Sequence, residues 1–194
     1  LAARAAELGY AALAVADRAG IGAVPIVALV GFLLGLILAF QGAIPMQRFG
    51  AQIFVADLLG ISMLRELGPL MAAILLTARS GSAFAAEIGT MKVTEQVDAM
   101  RAMAADPVRK LVVPKLAAAL VMLPALTLIG DVLGILGGLV IAVLQLQLTA
   151  SFYWNDVISA LTLEDFASGL GKSFFFAFFI TIVACHNGLT ARGG

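Results

Sequence analysis

The side chains with the clearest chemical potential are ionisable groups inside or beside long apolar stretches. Such groups are costly in a bilayer, so they mark either a functional site or internal pairing between helices. Arg65 and Glu66 are adjacent, and Gly68 and Pro69 follow, where proline interrupts helical hydrogen bonding. A charge pair at a helix break is suited to bind a polar headgroup. The complete set is Arg65, Glu66, Arg79, Glu87, Asp131 and Lys172.

Three of these charges favour a structural interpretation. Arg79 and Glu87 are eight residues apart, close to two helical turns, so they share a helix face without touching directly. Asp131 lies in another long apolar stretch. Pairing with opposite charges on neighbouring helices is the favoured role for all three, and a functional role is the alternative.

Two motifs that look like enzyme sites do not meet the requirements of their chemistry. The tripeptide GKS at 171–173 matches the end of a nucleotide-binding P-loop, but that loop needs glycine where Phe166 stands. Cys185 and His186 are each the only residue of their type, so they form neither a metal site nor a persuasive Ser-His-Asp group. We therefore predict no catalytic residue, no metal site and no cofactor in this chain, and no enzyme activity of its own.

The composition is that of a membrane protein. Of 194 residues, 62% are hydrophobic and 12% are charged, and the mean hydropathy is +1.06. Soluble domains are about 45–50% apolar and about 25% charged, and they rarely expose large apolar patches. The net charge is zero, which argues against a nucleic-acid partner because nucleic-acid binding requires a basic surface.

Four segments are long and apolar enough to cross a bilayer as helices, which takes roughly 20 residues each. We predict spans over residues 24–46, 67–88, 111–144 and 166–187. Residues 1–22 are weakly amphipathic, with Leu1, Leu8 and Val15 on one face, and predict an interfacial helix. The predicted fold is an all-α, polytopic helical bundle that forms a single membrane domain over residues 1–194.

Basic residues set the expected orientation, because Lys- and Arg-rich loops stay in the cytoplasm. The connection between the third and fourth spans has no Lys or Arg and carries Asp156, Glu164 and Asp165. We therefore expect both chain ends and the middle connection inside, and the other two loops outside. The basic residues of the middle connection are Lys92, Arg101, Arg109, Lys110 and Lys115.

Glycines spaced four residues apart predict close packing of helices. The spacing occurs at Gly31 and Gly35 in the first span, and at Gly130, Gly134 and Gly138 in the third. Such residues let two helix backbones approach each other, so we expect these positions to form contacts within the bundle.

A short amphipathic helix is predicted over residues 91–104, between the second and third spans. Val93, Val97, Met100 and Ala104 recur there at helical spacing. Mixed charge without Trp or Phe favours docking onto a protein over binding to anionic lipid, and a solvated connector is the remaining alternative. The polar residues of this segment are Lys92, Glu95, Gln96, Asp98 and Arg101.

Ordered motifs over residues 64–114 point to a known family. They are RELGP at 65–69, RSGSAFAAEIG at 79–89, MKVTEQVDAM at 91–100 and DPVR at 106–109. FQG at 40–42 and HNG at 186–188 lie outside that stretch. Together these motifs closely resemble the MlaE family of ABC transporter permeases, and the resemblance covers most of the chain.

The resemblance implies the permease subunit of a transporter that moves phospholipid between the inner and outer membranes of a bacterium and so maintains lipid asymmetry. Such permeases lie in the inner membrane as homodimers. They work with two cytoplasmic ATPase subunits, which hold ATP and Mg²⁺, and with a periplasmic MCE-domain protein. The family has a fifth span after the HNG motif, so these 194 residues are expected to be part of a longer chain.

The resemblance also implies which residues serve each function. The helix over Lys92–Met103 would dock in a groove of the ATPase. A two-tailed lipid needs an apolar wall for its chains and a few polar groups for its headgroup, and the family's cavity provides both. By matching positions, the lipid-binding residues would be Leu38, Gln41, Met46, Phe49, Arg65, Glu66 and Lys172.

Two other functions are compatible with the residues alone. A proton-driven secondary transporter would use Glu66, Glu87 or Asp131 as a relay and would need no ATPase. A non-transporting membrane scaffold would tolerate replacement of Arg65 and Glu66 without any effect on lipid movement. ATP dependence in reconstituted vesicles separates an ABC permease from the proton-driven alternative.

Overall fold

The computed structural model describes residues 9–16, 20–51 and 53–191. None of these residues is in a β-strand. The helices are α1 (Val24–Arg48), α2 (Phe54–Ser62), α3 (Gly68–Leu76), α4 (Ser82–Val93), α5 (Gln96–Ala102), α6 (Val113–Leu144), α7 (Ala150–Ala160) and α8 (Leu163–Leu189). Turns of π-helix at Met63–Leu67, Thr77–Gly81 and Val108–Val112 adjoin them, and Ile21–Ala23 form a 3₁₀ turn.

Four helical stretches in the described part of the chain are long and apolar enough to cross a membrane. One contains α1, and the others are Phe54–Val93, Val108–Leu144 and Leu163–Leu189. Each contains one predicted span and extends beyond it, so the predicted polytopic all-α fold is confirmed. Many large apolar side chains are exposed, as expected for a surface that faces lipid, among them Leu29, Val121 and Phe175.

The predicted interfacial helix over residues 1–22 lies partly outside the described residues, and Leu1 and Leu8 are among those outside. Residues 9–16 are helical, and Val15 in this segment is half-buried.

The chain divides into two compact units, each with its own packing. The connector unit comprises Leu1–Ala23, Ala73–Leu123 and Phe174–Gly194, and it contains α5. The glycine-packed unit comprises Val24–Ala72 and Pro124–Ser173, and it contains the π-helical turn before α3.

Backbone contact between α1 and α6 organises the glycine-packed unit. A β-carbon on Gly31 would lie 2.6 Å from the Gly130 carbonyl oxygen, and one on Gly35 would overlap the Gly134 carbonyl oxygen. The predicted glycine spacing therefore forms one interface, to which each helix gives a glycine on successive turns.

A buried cluster from α1, α2, α6 and α7 continues this interface. Tyr153 is fully buried there, and its hydroxyl donates a hydrogen bond to the Ile135 carbonyl at 3.0 Å. That bond satisfies the polar end of an otherwise apolar side chain. Leu59, Met63 and Val157 belong to the same cluster.

Replacing Gly35 by alanine is expected to lower the free energy of unfolding by about 1–3 kcal/mol, because the new methyl group meets backbone that cannot move aside. Gly42 on the same helix is the matched control, since a β-carbon there would have no atom within 4 Å apart from its chain neighbours and the nearby backbone of its own helix. Gly42→Ala should stabilise the helix by about 0.5–1 kcal/mol. Thermal unfolding of the full-length protein in mild detergent measures both, and equal midpoints would contradict the proposed backbone contact.

Two carboxyl groups, Asp57 of α2 and Asp156 of α7, form an acidic pair in the glycine-packed unit. Each keeps one buried oxygen that has no hydrogen-bond partner among the described residues. Burial, and then the nearby Asp57 carboxylate, raise the pKa of Asp156. The composition of the loops gave no signal for this pairing, because it depends on how α7 folds back onto α2.

Replacement of Asp156 by asparagine should raise the midpoint of thermal unfolding at pH 7. An acid whose pKa is raised by folding destabilises the fold while ionised, and stability is regained as pH falls through the raised pKa. The midpoint of the wild type should therefore rise as the pH falls from 7 towards the raised pKa of Asp156. The midpoint of the Asp156→Asn variant should not show this rise. Glu164→Gln, a change at an exposed acid, is the control. Parallel pH profiles for wild type and Asp156→Asn would contradict this prediction.

Candidate functional site

The π-helical turn Met63–Leu67 positions the Arg65-Glu66 pair. Pro69 has no N–H, so it cannot donate the helical hydrogen bond to the Arg65 carbonyl. The Lys172 ammonium donates to that carbonyl instead, with 2.9 Å between Nζ and the oxygen. Turns of π-helix occur frequently at functional sites, and here the turn and the proline together leave a backbone acceptor for a cation.

Lys172 of α8 also forms an ion pair with Glu66, with 2.6 Å between Nζ and Oε1. Gly169 permits this approach, because a β-carbon there would overlap the Leu64 carbonyl oxygen of the π-helical turn. Gly169 therefore lets α8 lie against the turn one helical turn before Lys172. The three charged residues predicted for headgroup binding are thus brought together in one cluster, the headgroup cluster.

Asp165 supplies a further carboxylate to this cluster, at 3.4 Å from the Arg65 guanidinium. It is 7% exposed, and Thr162 donates to it from its hydroxyl at 2.7 Å and from its backbone N–H at 3.2 Å. The Asp165 N–H donates back to the Thr162 hydroxyl, which completes a capping box at the start of α8. Sequence reasoning missed this residue, although Thr162-x-x-Asp165 before an apolar run is the signal of such a cap.

The headgroup cluster is open to ligands. The side chains of Arg65, Glu66 and Lys172 are 56%, 63% and 36% exposed. Exposed ion pairs contribute only about 0–1 kcal/mol, so a ligand can replace them at little cost. Two cations beside two carboxylates suit a headgroup that itself carries both signs of charge, with its phosphate on the cations and its ammonium on a carboxylate.

The four predicted lipid-binding residues of the first span are placed differently from the charged cluster. Leu38 and Met46 are partly buried and pack against the apolar core cluster. Gln41 is exposed on α1, and Phe49, 85% exposed, follows the end of that helix. Their part in lipid binding stays a prediction.

The connector helix α5 holds a second charged cluster. The Lys92 ammonium lies 2.8 Å from Asp98 Oδ2, and the Arg101 guanidinium lies 3.2 Å from Asp98 Oδ1. The hydrogen bond from Lys92, aided by the charges of Lys92 and Arg101, lowers the pKa of Asp98. Asp98 therefore fixes two basic side chains on an exposed surface.

The connector is shorter than the predicted 91–104 helix. The preceding helix continues to Val93, and Glu95 then takes a left-handed conformation with φ of 61° before α5 begins at Gln96. This break divides the predicted apolar face. Of the four residues on that face, Val93, Val97, Met100 and Ala104, Val97 alone is fully buried, and Val93 is half exposed.

The exposed surface of the connector is polar with an apolar end. Glu95, Gln96 and Arg101 are exposed, and Met103 is 73% exposed directly after α5. Val97, in contrast to these exposed residues, is buried and fixes α5 to the connector unit. A short, anchored helix with a mixed-charge exposed surface is suited to transmit force from a docked protein.

Of the other charges within the spans, Glu87 pairs with an opposite charge on a neighbouring helix, as predicted, and Asp131 forms no ion pair among the described residues. Glu87 binds Lys115, with 2.5 Å between Oε2 and Nζ, so its partner comes from α6 and not from its own helix. Asp131 is 4% exposed, and its Oδ1 has no hydrogen-bond partner among the described residues. Gly68 makes room for this carboxyl group, because a β-carbon there would overlap Oδ1.

Comparison with known proteins finds the same family along nearly the whole chain. The family model described as Permease MlaE matches residues 12–194. A probable ABC transporter permease protein of Rickettsia typhi is 40% identical over 175 residues, which are 90% of this chain and 68% of the relative. A probable ABC transporter permease protein of Synechocystis is 40% identical over 161 residues, 83% of this chain and 61% of the relative. The intermembrane phospholipid transport system permease protein MlaE of Haemophilus influenzae is 34% identical over 170 residues, 87% of this chain and 65% of the relative.

Proposed function

This chain belongs to the MlaE family of permeases, and we propose that it carries phospholipid between the inner and outer membranes of a bacterium as the membrane subunit of an ATP-driven transporter. In this proposal two copies form the membrane part, and two cytoplasmic ATPase subunits hydrolyse ATP. A periplasmic MCE-domain protein exchanges lipid with the outer side. The permease itself lies in the inner membrane.

The observation that supports phospholipid as the substrate is the headgroup cluster. The charged groups of Arg65, Glu66 and Lys172 are exposed or partly exposed, a ligand can replace their ion pairs, and Arg65 and Glu66 lie in a π-helical turn of an otherwise apolar span. A phosphate group can accept hydrogen bonds from Arg65 and Lys172 while Glu66 receives the ammonium of a zwitterionic headgroup. Exposed apolar residues around the span provide a surface that acyl chains can follow.

The connector helix supports the coupling to an ATPase. ATP binding on another subunit can move lipid only if it changes the relative stability of two permease conformations. The mechanical contact that this requires would be made by Lys92, Glu95, Gln96, Asp98 and Arg101. Val97 would transmit the movement to the connector unit, because it is buried, whereas Glu95, Gln96, Asp98 and Arg101 are exposed and Lys92 is partly exposed.

Native mass spectrometry of the full-length protein, purified in mild detergent together with the products of neighbouring genes, tests the assembly. We expect a complex of two permeases and two ATPases that retains phospholipid. Reconstituted vesicles then test the energy source, because lipid transfer should require hydrolysable ATP. A permease that purifies without ATPase and lipid, or transfer that follows a proton gradient without ATP, would contradict the proposal.

A further inference from the structure

A cavity of about 450 Å³ lies within the connector unit, and its described lining includes none of the residues assigned to headgroup binding or coupling. Its polar wall includes Arg79, Glu87 and Lys115, and its apolar wall includes Ala83 and Phe84. This size is within the range of roughly 300–1,000 Å³ that is usual for ligand pockets.

Among the described lining residues, the polar wall has one positive charge in excess. The Lys115 side chain is 5% exposed, and its ammonium is held by Glu87 and lies 4.9 Å from the centre of the Phe84 ring. Its charge is therefore neutralised inside the fold. Arg79 forms no ion pair with any residue in the described part of the chain, and it is exposed at the cavity.

The backbone beside Arg79 is shaped to leave space for its guanidinium. Arg79 belongs to the π-helical turn Thr77–Gly81. A β-carbon on Gly22 would overlap the guanidinium and would lie 3.1 Å from its central carbon, so glycine at that position permits the observed side-chain placement. An arginine that is positioned in this way presents a planar set of N–H donors, which matches the oxygens of a phosphate group.

We propose that this cavity binds the phosphodiester of a phospholipid from the cytoplasmic leaflet, with Arg79 as its principal contact. The inference rests on the proposed function, because it assigns a second lipid site to the same transporter. Glu87 and Lys115 lie within two turns of the helix ends at Val93 and Val108, which the basic connection places in the cytoplasm.

The ligand chemistry follows from the walls of the cavity. One phosphodiester carries a single negative charge, which balances the excess charge of Arg79 without breaking the Lys115–Glu87 pair. Ala83, Phe84 and Val15 provide apolar contacts for the glycerol and the first carbons of the acyl chains. Free phosphate would use the same Arg79 contact but would leave this apolar wall unoccupied.

Site-specific photo-crosslinking in the full-length permease–ATPase complex tests the proposal. A photoreactive residue at position 83 reports on the cavity, and one at position 121 reports on bulk lipid because Val121 is 69% exposed. Each is combined with Arg79→Gln, with Arg79→Lys and with Arg109→Gln, which removes an exposed positive charge outside the cavity. Mass spectrometry of the crosslinked adduct identifies whether it contains acyl chains.

We expect Arg79→Gln to reduce the phospholipid adduct at position 83 by about tenfold, and Arg79→Lys to reduce it less, while the adduct at position 121 is unchanged. Arg109→Gln should leave both adducts unchanged. An unchanged adduct at position 83 in Arg79→Gln would overturn the proposal. A complex in which position 83 captures no lipid, but inorganic phosphate binds and Arg79→Gln removes that binding, would overturn the lipid assignment.

The same complexes separate this inference from the proposed function. If Arg79→Gln has no effect on the adduct while ATP-dependent lipid transfer still depends on Glu66, the second site is wrong and the transport function stands. If lipid transfer is absent in the wild type, the proposed function fails irrespective of the adduct at position 83.

Discussion

Replacing Glu66 by lysine is expected to reduce ATP-dependent phospholipid transfer by about tenfold or more, because it places two ammonium groups where one ion pair now stands. Lys172 Nζ is 2.6 Å from Glu66 Oε1 and 2.9 Å from the Arg65 carbonyl. Repulsion would displace Lys172 from both partners and change the headgroup cluster. Transfer between reconstituted vesicles and acceptor particles measures the effect, and lipid that co-purifies with the complex should decrease in parallel.

A double variant in which Glu66 and Lys172 are exchanged distinguishes a ligand-binding role of this ion pair from a structural role. If Glu66 and Lys172 only hold α8 against the π-helical turn, the double variant Glu66→Lys with Lys172→Glu should restore transfer. If the polarity of the pair orients the headgroup, the double variant should fold normally but stay inactive. Glu164→Lys is the matched control. Glu164 is exposed on α8, the helix that carries Lys172, and it forms no ion pair within the described residues. Unchanged lipid recovery in Glu66→Lys would remove Glu66 from the site.

The predicted spans agree with the structure because the determinant is local. A stretch of about 20 apolar residues must be helical in a bilayer, since each backbone group needs a partner within its own segment. That Gly31, Gly35, Gly130 and Gly134 lie at helix contacts was also predictable, because the four-residue spacing on each helix places glycines on one face. Which helices would meet was not predictable from the spacing.

The headgroup cluster depends on contacts between distant parts of the sequence. Glu66 and Lys172 are 106 residues apart, and the pairing is possible because Gly169 lets α8 approach Leu64. Only the resemblance to the MlaE family linked Lys172 to Arg65 and Glu66, because its own surroundings resembled an incomplete P-loop. A partner for Glu87 on a neighbouring helix was predicted, but Lys115 could not be identified as that partner, because only packing brings the two residues together.

The connector shows how one backbone angle limits a prediction from periodicity. Val93, Val97, Met100 and Ala104 fit one helix face, but that face exists only if the backbone is continuously helical. Glu95 at φ of 61° breaks it, and such a conformation costs a non-glycine residue roughly 1–2 kcal/mol. No residue type in Lys92–Gln96 signals this break. The polar residues of the predicted docking surface are nevertheless exposed, apart from Lys92, which Asp98 holds.

Replacing Asp98 by lysine, which reverses its charge, is expected to uncouple the permease from the proposed ATPase subunit. Asp98 pairs with Lys92 and Arg101, and lysine at this position would leave three basic groups within a few ångströms of one another. The surface proposed to meet the ATPase would then change in charge and in side-chain arrangement, which should weaken docking by about tenfold or more. Co-purification of the ATPase and lipid-stimulated ATP hydrolysis measure this loss.

The fold itself should survive the Asp98→Lys change, because Asp98 is exposed and surface ion pairs contribute little to stability. The midpoint of thermal unfolding of the permease should therefore stay close to that of the wild type, whereas Val97→Asp, at a fully buried position, should lower it. Glu95→Lys is the companion variant, since it reverses an exposed charge without disturbing the ion pairs of Asp98 with Lys92 and Arg101. Normal co-purification of the ATPase with Asp98→Lys would contradict the coupling role of α5.

The response of docking to pH and salt follows from the same ion pairs. Hydrogen bonding from Lys92 lowers the pKa of Asp98, so the pairing is present above the ordinary carboxyl pKa of 3.8 and is lost only as pH falls through the lowered pKa. Docking should consequently be constant between about pH 5 and 8, where Asp98 stays ionised. It should weaken as salt rises, because exposed charges are screened. An ATPase contact that instead depended on Met103 and other apolar atoms would be insensitive to salt, and Asp98→Lys would then leave it intact.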